Sequence, residues 1–430
     1  MSEANSAGRG ALLLRLSNTA LRFVTLACRL LLILMLARFL PPADVGLFGL
    51  FFISVNFGLT LAGLNFHSYS NREMVSADQP GRSQILVNQL SLYLFFYILM
   101  LPLSVVVFTA GLLPWNLFGL FLAILVIEHL TYEGYRLLVV LGRPITAGLV
   151  AFIRSASWVL VIPPLFLWRE EAQSLHTVLV LWLVGGVSSL VFTGAILHRA
   201  GYSVLRASID TGWIVRGLQV AFPFFVGTLA IRGIFTVDRF FIEAMADLAV
   251  VGVYTFYAGM CVALLGLIEA AIFNFTYPKL IRAAQAVDET EFNAGLRRLA
   301  LHCSVATSSL AVVIYLLSIP ILHLLDRPIY LEYLDVFALL LGAYVLFIIG
   351  MVAHYGLYAL NADGAILRSR LIALFGFLFS MLIFLALKVG LLAVPTSMIV
   401  AFTLMLLCKA RYLSLKRKEF FVAKMKASNT

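Results

Sequence analysis

Residues 16–39 read LSNTALRFVTLACRLLLILMLARF, and after LPPADV residues 46–66 read GLFGLFFISVNFGLTLAGLNF. These are two long apolar runs separated by a double proline. Each has roughly the 20 residues that an α-helix needs to cross a hydrocarbon core of about 30 Å. Their polar residues recur three and four positions apart, a helical rather than a strand spacing. The same pattern fills the chain, which is 62% hydrophobic and 12% charged over 430 residues, with a mean hydropathy of +1.01. Soluble domains carry about 25% charged residues. This composition excludes a soluble enzyme, a nucleic-acid reader and a secreted disulfide scaffold. It predicts an all-α, polytopic membrane protein.

Cutting at polar and Pro/Gly breaks gives about twelve spans. The first six are expected near 16–39, 46–66, 85–110, 117–140, 145–168 and 176–197. The second six are expected near 214–236, 248–273, 299–325, 334–360, 367–388 and 391–411. The polar start, MSEANSAGRG, and the lack of an A-x-A site make the first run a membrane helix rather than a cleaved signal peptide. The net charge of +10 is mostly topological. Nineteen basic residues, Arg72, Arg370 and the C-terminal tail among them, lie on one side of the expected spans or in the end turns on that side, against four on the other. Both termini are therefore expected in the cytoplasm. Cys28, Cys261, Cys303 and Cys408 lie inside apolar runs, as small core residues without disulfides.

A weak repeat divides the chain. ARFLPPADVGLFGLF from Ala37 matches DRFFIEAMADLAVVGVYTFY from Asp238, aligning Arg38 with Arg239 and Gly46 with Gly252. Two six-helix lobes are expected, residues 1–205 and 206–430. The cytoplasmic segment TYPKLIRAAQAVDETEFNAGLRR (276–298) reads as an amphipathic helix on the inner membrane surface, or as a solvated connector.

Eight basic residues fall within spans: Arg22, Arg29, Arg38, Arg136, Arg154, Arg216, Arg232 and Lys409. Arg38, Arg216 and Lys409 lie near span ends, where long side chains snorkel to the headgroups. Arg29, Arg154 and Arg232 are central, where an arginine needs a partner or a wet cavity. At about 100° per residue, three polar stripes emerge. Asn18, Arg22, Thr25 and Arg29 share one face, as do Asn56, Thr60, Gly63 and His67, and Thr228, Arg232, Thr236 and Arg239. In the fourth span Glu128, His129, Tyr132, Glu133 and Arg136 lie on one broad face. Glu133 is placed to pair with Arg136, whereas Glu128 has no partner in its own helix. Glu128, Glu133 and Glu269 are candidates either for proton coupling or for pairing with the cavity arginines. Basic groups outnumber these acids, which favours an anionic passenger such as a phosphate or pyrophosphate. No Gly-Lys pair supplies a P-loop, and no His/Cys cluster has metal-ligand spacing. No metal and no cofactor is expected. The lone histidines, His67, His129, His302, His323 and His354, are expected as hydrogen-bonded structural residues.

The first-span motif ARFLPPADVGLFGLF, with GLNFHSYSNRE after the second span and DRFFIEAMADLAVVGVYTFY after the seventh, resembles polysaccharide flippases of the Wzx type. These form the polysaccharide-transport branch of the multidrug/oligosaccharidyl-lipid/polysaccharide exporter superfamily. The resemblance implies two six-helix lobes in an inverted-V, MATE-like arrangement in the bacterial inner membrane. It implies alternating-access transfer of an undecaprenyl-pyrophosphate-linked sugar unit to the periplasmic leaflet. It places Arg22, Arg29, Arg154 and Arg232 in a cationic cavity, joined by Asn56 and His67. Arg72, Asp238 and Arg239 become gate or lobe contacts, grouped with Glu128, Glu133, Arg136 and Glu269 in coupling and gating. Ala37 stands where the second half has Asp238. Proton or sodium coupling and a polymerase or chain-length regulator as partner belong to the same implication; nucleic acid does not. Two rivals stand beside it: a multidrug cation extruder, which needs uncompensated acids, and a polysaccharide polymerase or ligase, which needs a large outer loop.

Overall fold

The computed structural model describes residues 2–202 and 208–428, with side chains from Ala20 to Lys424 except that of Arg22. The expected lobe boundary at 205/206 lies outside the described residues, as do Arg206 and the side chains of Asn18 and Arg22.

Twelve long helices order the described chain. They are α1 (Ser2–Phe39), α2 (Pro42–Gly63), α3 (Gln79–Thr109), α4 (Phe118–Val140), α5 (Pro144–Trp168) and α6 (Leu175–Arg199). Then follow α7 (Thr211–Met245), α8 (Leu248–Gln285), α9 (Glu289–Leu325), α10 (Leu334–Ala359), α11 (Asp363–Ala386) and α12 (Ala393–Ser428). Eleven of the stretches are long and apolar enough to cross a membrane, and α1 is the remaining long helix. The protein is an all-helical polytopic membrane protein. Leu94, Phe95 and Ile98 of α3, Leu301 and Val305 of α9, and Phe375, Phe379 and Leu382 of α11 are exposed. Such outward apolar faces suit lipid, because water would not tolerate them in a monomer.

The chain packs as two compact units, Met1–Phe225 and Val226–Thr430, and α7 runs through the division. In the first, α4 packs against α2, α5 and α6; in the second, α12 packs along α10 and α11. Helix starts are set by local chemistry. Asp78, Ser174, Asp247 and Asp288 accept hydrogen bonds from the backbone N–H groups of Gly81, Thr177, Val250 and Glu291.

Four details depart from the sequence reading. First, α2 stops at Gly63 because Leu64 and Asn65 adopt positive φ (47° and 53°), so His67 begins a separate short helix, His67–Ser76. Second, residues 276–298 are no single amphipathic helix. They are the end of α8 and the start of α9, separated by a turn with Val287 at φ 57°. Third, α12 continues well past residue 411. Fourth, two helices carry π-helical segments, Ile153–Ser157 in α5 and Glu269–Phe273 in α8. In α5 the irregularity precedes Pro163 and Pro164, which lack the N–H groups that would close the next helical bonds.

Candidate functional site

The polar face of α4 is the centre of a buried network in the first unit. Glu128 accepts from Arg154 Nη1 at 2.7 Å and from the indole Nε1 of Trp182 at 2.8 Å. Its partners come from α5 and α6, which is why its own helix shows none. Arg154 sits in the π-helical segment of α5, and Trp158, one turn on, stacks against Trp182 with ring centroids 6.4 Å apart. Gly185 permits that approach, since a Cβ there would lie 2.5 Å from the Trp158 ring. Phe48, Phe51 and Phe52 of α2 close over Trp182.

One turn further along α4, Glu133 accepts from Arg136 Nη1 at 2.5 Å, and from Gln89 Nε2 and the Tyr93 hydroxyl at 3.0 Å each. Arg136 Nη1 also donates to His67 Nδ1 at 2.8 Å. Tyr132 ties the two pairs together: the guanidinium carbons of Arg136 and Arg154 lie 4.1 and 5.0 Å from its ring centroid. His129 bonds Tyr97 through Nδ1 at 2.6 Å. Glu128 and Glu133 are buried and Arg154 is 12% exposed. In a medium of low dielectric such pairs, each made through one guanidinium nitrogen with the second carboxylate oxygen bonded to neighbouring helices, hold the helices in register, and either partner alone would be costly.

The structure thus brings together Glu128 with Arg154, and Glu133 with Arg136 and His67. The charge of Arg154 is balanced by Glu128. His67 reaches Arg136 from its own short helix and does not continue the α2 stripe, because the chain turns at Leu64 and Asn65. Asn56 and Thr60 remain on α2 and spend a hydrogen bond on its own backbone, Asn56 to the Phe52 carbonyl at 2.8 Å and Thr60 to that of Asn56 at 3.3 Å. Arg29 is exposed mid-helix on α1, and Arg72 is exposed on the short helix. Arg38 and Arg216 are exposed, as snorkelling groups would be.

In the second unit the α7 stripe splits. Arg232 is exposed and makes no ion pair among the described residues, whereas Arg239 is buried. Arg239 Nη1 donates to Asp238 at 3.1 Å and to the Phe235 carbonyl at 3.0 Å, while the Tyr254 hydroxyl donates to Asp238 at 2.9 Å. In the first half, Ala37 is fully buried and Arg38 exposed, so the two halves use this matched pair differently. Glu269 is half-buried and opens the π-helical segment of α8.

The second unit also holds a group that the sequence reading set aside. Lys409 is 1% exposed on α12, in the company of Arg370 of α11 and His354 of α10. Lys409 does not snorkel, because α12 has no end near it. His354 is not the satisfied structural histidine expected: its Nδ1 is buried with no hydrogen-bond partner. The available signal was the scarcity of acids in these helices: Glu419 is the first acid in α12, and α10 and α11 each carry one, in the first turn.

No protein-family model and no curated protein matches the chain. Solved structures do. An inward-facing multidrug resistance MATE family transporter of the MOP superfamily aligns with a TM-score of 0.75 at 15% identity, over 94% of this chain and 98% of that one. An outward-facing multidrug resistance MATE family transporter of the same superfamily aligns with a TM-score of 0.63 at 16% identity, covering 94% and 95%. A MATE crystallised in a bent conformation aligns at 0.62 and 17% identity, covering 93% and 95%. The chain therefore has the MATE-like fold.

Proposed function

We propose that the protein is an alternating-access transporter of the bacterial inner membrane, with both termini cytoplasmic. On this reading it moves an undecaprenyl-pyrophosphate-linked oligosaccharide to the periplasmic leaflet. The fold supports the transporter class, and the resemblance of the quoted motifs supports the cargo. The observation that carries the choice of an anion is the fate of charge inside the spans. Glu128, Glu133 and Asp238 are each taken up by an arginine, whereas Arg232 is exposed at a mid-helix position and makes no ion pair among the described residues; Arg29 is likewise exposed within its span. Exposed guanidinium groups within apolar helices are suited to the oxygens of a pyrophosphate.

Arg29→Ala and Arg232→Ala should abolish surface polysaccharide in the producing bacterium while leaving the amount of inserted protein unchanged. Normal polysaccharide in both variants overturns the reading. The multidrug activity in the names of the aligned transporters motivates a second reading, a cation extruder. That reading needs a carboxylate open to cargo, and the three acids above are already bonded to arginine. Efflux of a fluorescent organic cation that survives R29A and R232A would favour it.

A further inference from the structure

His354, Arg370 and Lys409 come from three helices that pack together, α10, α11 and α12. His354 lies five residues before the end of α10 and Arg370 seven residues after the start of α11, about 7–11 Å of helix from the α10–α11 connection. The charge of Lys409 bears on His354, and that of Arg370 bears on both. No carboxylate contributes to the field at any of the three, and none of them makes a side-chain hydrogen bond or ion pair among the described residues. Lys409 is buried, while Arg370 and His354 are partly exposed. Gly227 of α7 completes the surroundings: a Cβ there would lie 3.5 Å from Arg370 Nη1, so the guanidinium rests beside bare backbone.

An ammonium withdrawn from water with no counter-charge is among the least favourable groups a protein can bury. Placing a guanidinium beside it adds like-charge repulsion in a medium of low dielectric. Contrast the first unit, where every buried charge near α4 has its partner. A ligand that carries the missing negative charge accounts for both features. A carboxylate brings one charge on two oxygens and leaves a surplus. A phosphate or pyrophosphate brings more charge and enough oxygens for an arginine fork, an ammonium and an imidazole together.

We propose that His354, Arg370 and Lys409 form an anion site in the second unit for a phosphate or pyrophosphate group. Two sources share that chemistry, a pyrophosphate lipid headgroup and free inorganic phosphate. The lipid source rests on the flippase reading; the site itself does not. It lies near the α10–α11 connection, on the side that the excess of basic residues assigns to the cytoplasm, where a cytoplasmic anion would be met first.

The test uses the purified full chain in nanodiscs and reads thermal unfolding by tryptophan fluorescence. One arm adds inorganic pyrophosphate. The other compares discs containing a polyprenyl pyrophosphate with discs containing the polyprenyl alcohol. The native protein should melt several degrees higher in at least one arm, and R370Q should need about tenfold more ligand for the same shift. K409M should melt higher than the native protein without ligand, since it loses an unpaired buried charge, and should not respond to pyrophosphate. A shift confined to the lipid arm assigns the site to a headgroup; a shift in the first arm assigns it to the free anion. No shift in either arm overturns the proposal, as does the native shift retained in both K409M and R370Q. Normal surface polysaccharide in R29A and R232A would overturn the flippase reading alone, because this shift is read on isolated protein.

Discussion

Glu128 in the first unit and Lys409 in the second are similarly buried, at 6% and 1% exposure, yet of the two only Glu128 has a counter-charge among the described residues. Around α4, acids and arginines are matched one to one and bridged by aromatic rings. Around α12, a lysine, an arginine and a histidine meet with no acid. In the first arrangement every charge is paired as folded, although Arg154 Nε and His129 Nε2 are buried without a hydrogen-bond partner among the described residues, and it resembles a buried polar network whose value is specificity of packing. The second is incomplete without a further anion. Burial of charge alone therefore does not identify a binding site in this protein; the state of its partner does.

Breaking the first cluster should have the largest effect. Glu128→Gln leaves Arg154 buried without its counter-charge and should cost about 3–5 kcal/mol, seen as loss of detergent-extractable folded protein and a lower melting temperature. Adding Arg154→Met should recover most of that loss, since it removes the stranded charge as well. A double variant as unstable as the single one would show that the pair is not what holds α4, α5 and α6 together. In the second cluster the sign reverses. Arg370→Gln should leave unliganded stability unchanged or raise it by about 1 kcal/mol, because it relieves repulsion instead of stranding a charge. A large loss there would mean that Arg370 has a structural partner, and the contrast would fail. The smallest effect belongs to the surface pair of Arg298 and Glu291, 3.0 Å apart with both side chains more than half exposed. Glu291→Gln should change stability by no more than about 0.5 kcal/mol, and less at high salt.

Much of the architecture was legible because lipid imposes a strict length on apolar runs. Each expected span falls on an observed helix, though α1, α8, α9 and α12 run ten or more residues beyond theirs, and the cut at Gly142–Pro144 is present, where a glycine at φ 72° makes the turn. What periodicity could not show was where a helix stops for conformational reasons. The stripe through Asn56, Thr60, Gly63 and His67 was drawn on an unbroken helix, and positive φ at Leu64 and Asn65 broke it. The pairing of Glu133 with Arg136 was legible, since three residues on a helix is a contact distance. Glu128 with Arg154 was not, since the two lie on different helices 26 residues apart. With the span closing at 411, Lys409 reads as a snorkelling group, and Arg370, near the start of its span, reads as one of the topological charges. Both are understood only once α12 is seen to run on and to pack against α10 and α11.

The π-helical segment Ile153–Ser157 has a consequence for the length of α5. A turn closed by i→i+5 bonds holds one residue more than its neighbours, so the helix before it and the helix after it read in frames offset by a single position. Anywhere else on α5, deleting one residue would rotate all that follows by about 100° and turn its lipid-facing side inward. Within this segment the same deletion takes back the surplus and leaves both flanking faces in place. The length of α5 is therefore negotiable at one point only, and that point carries the arginine that meets Glu128.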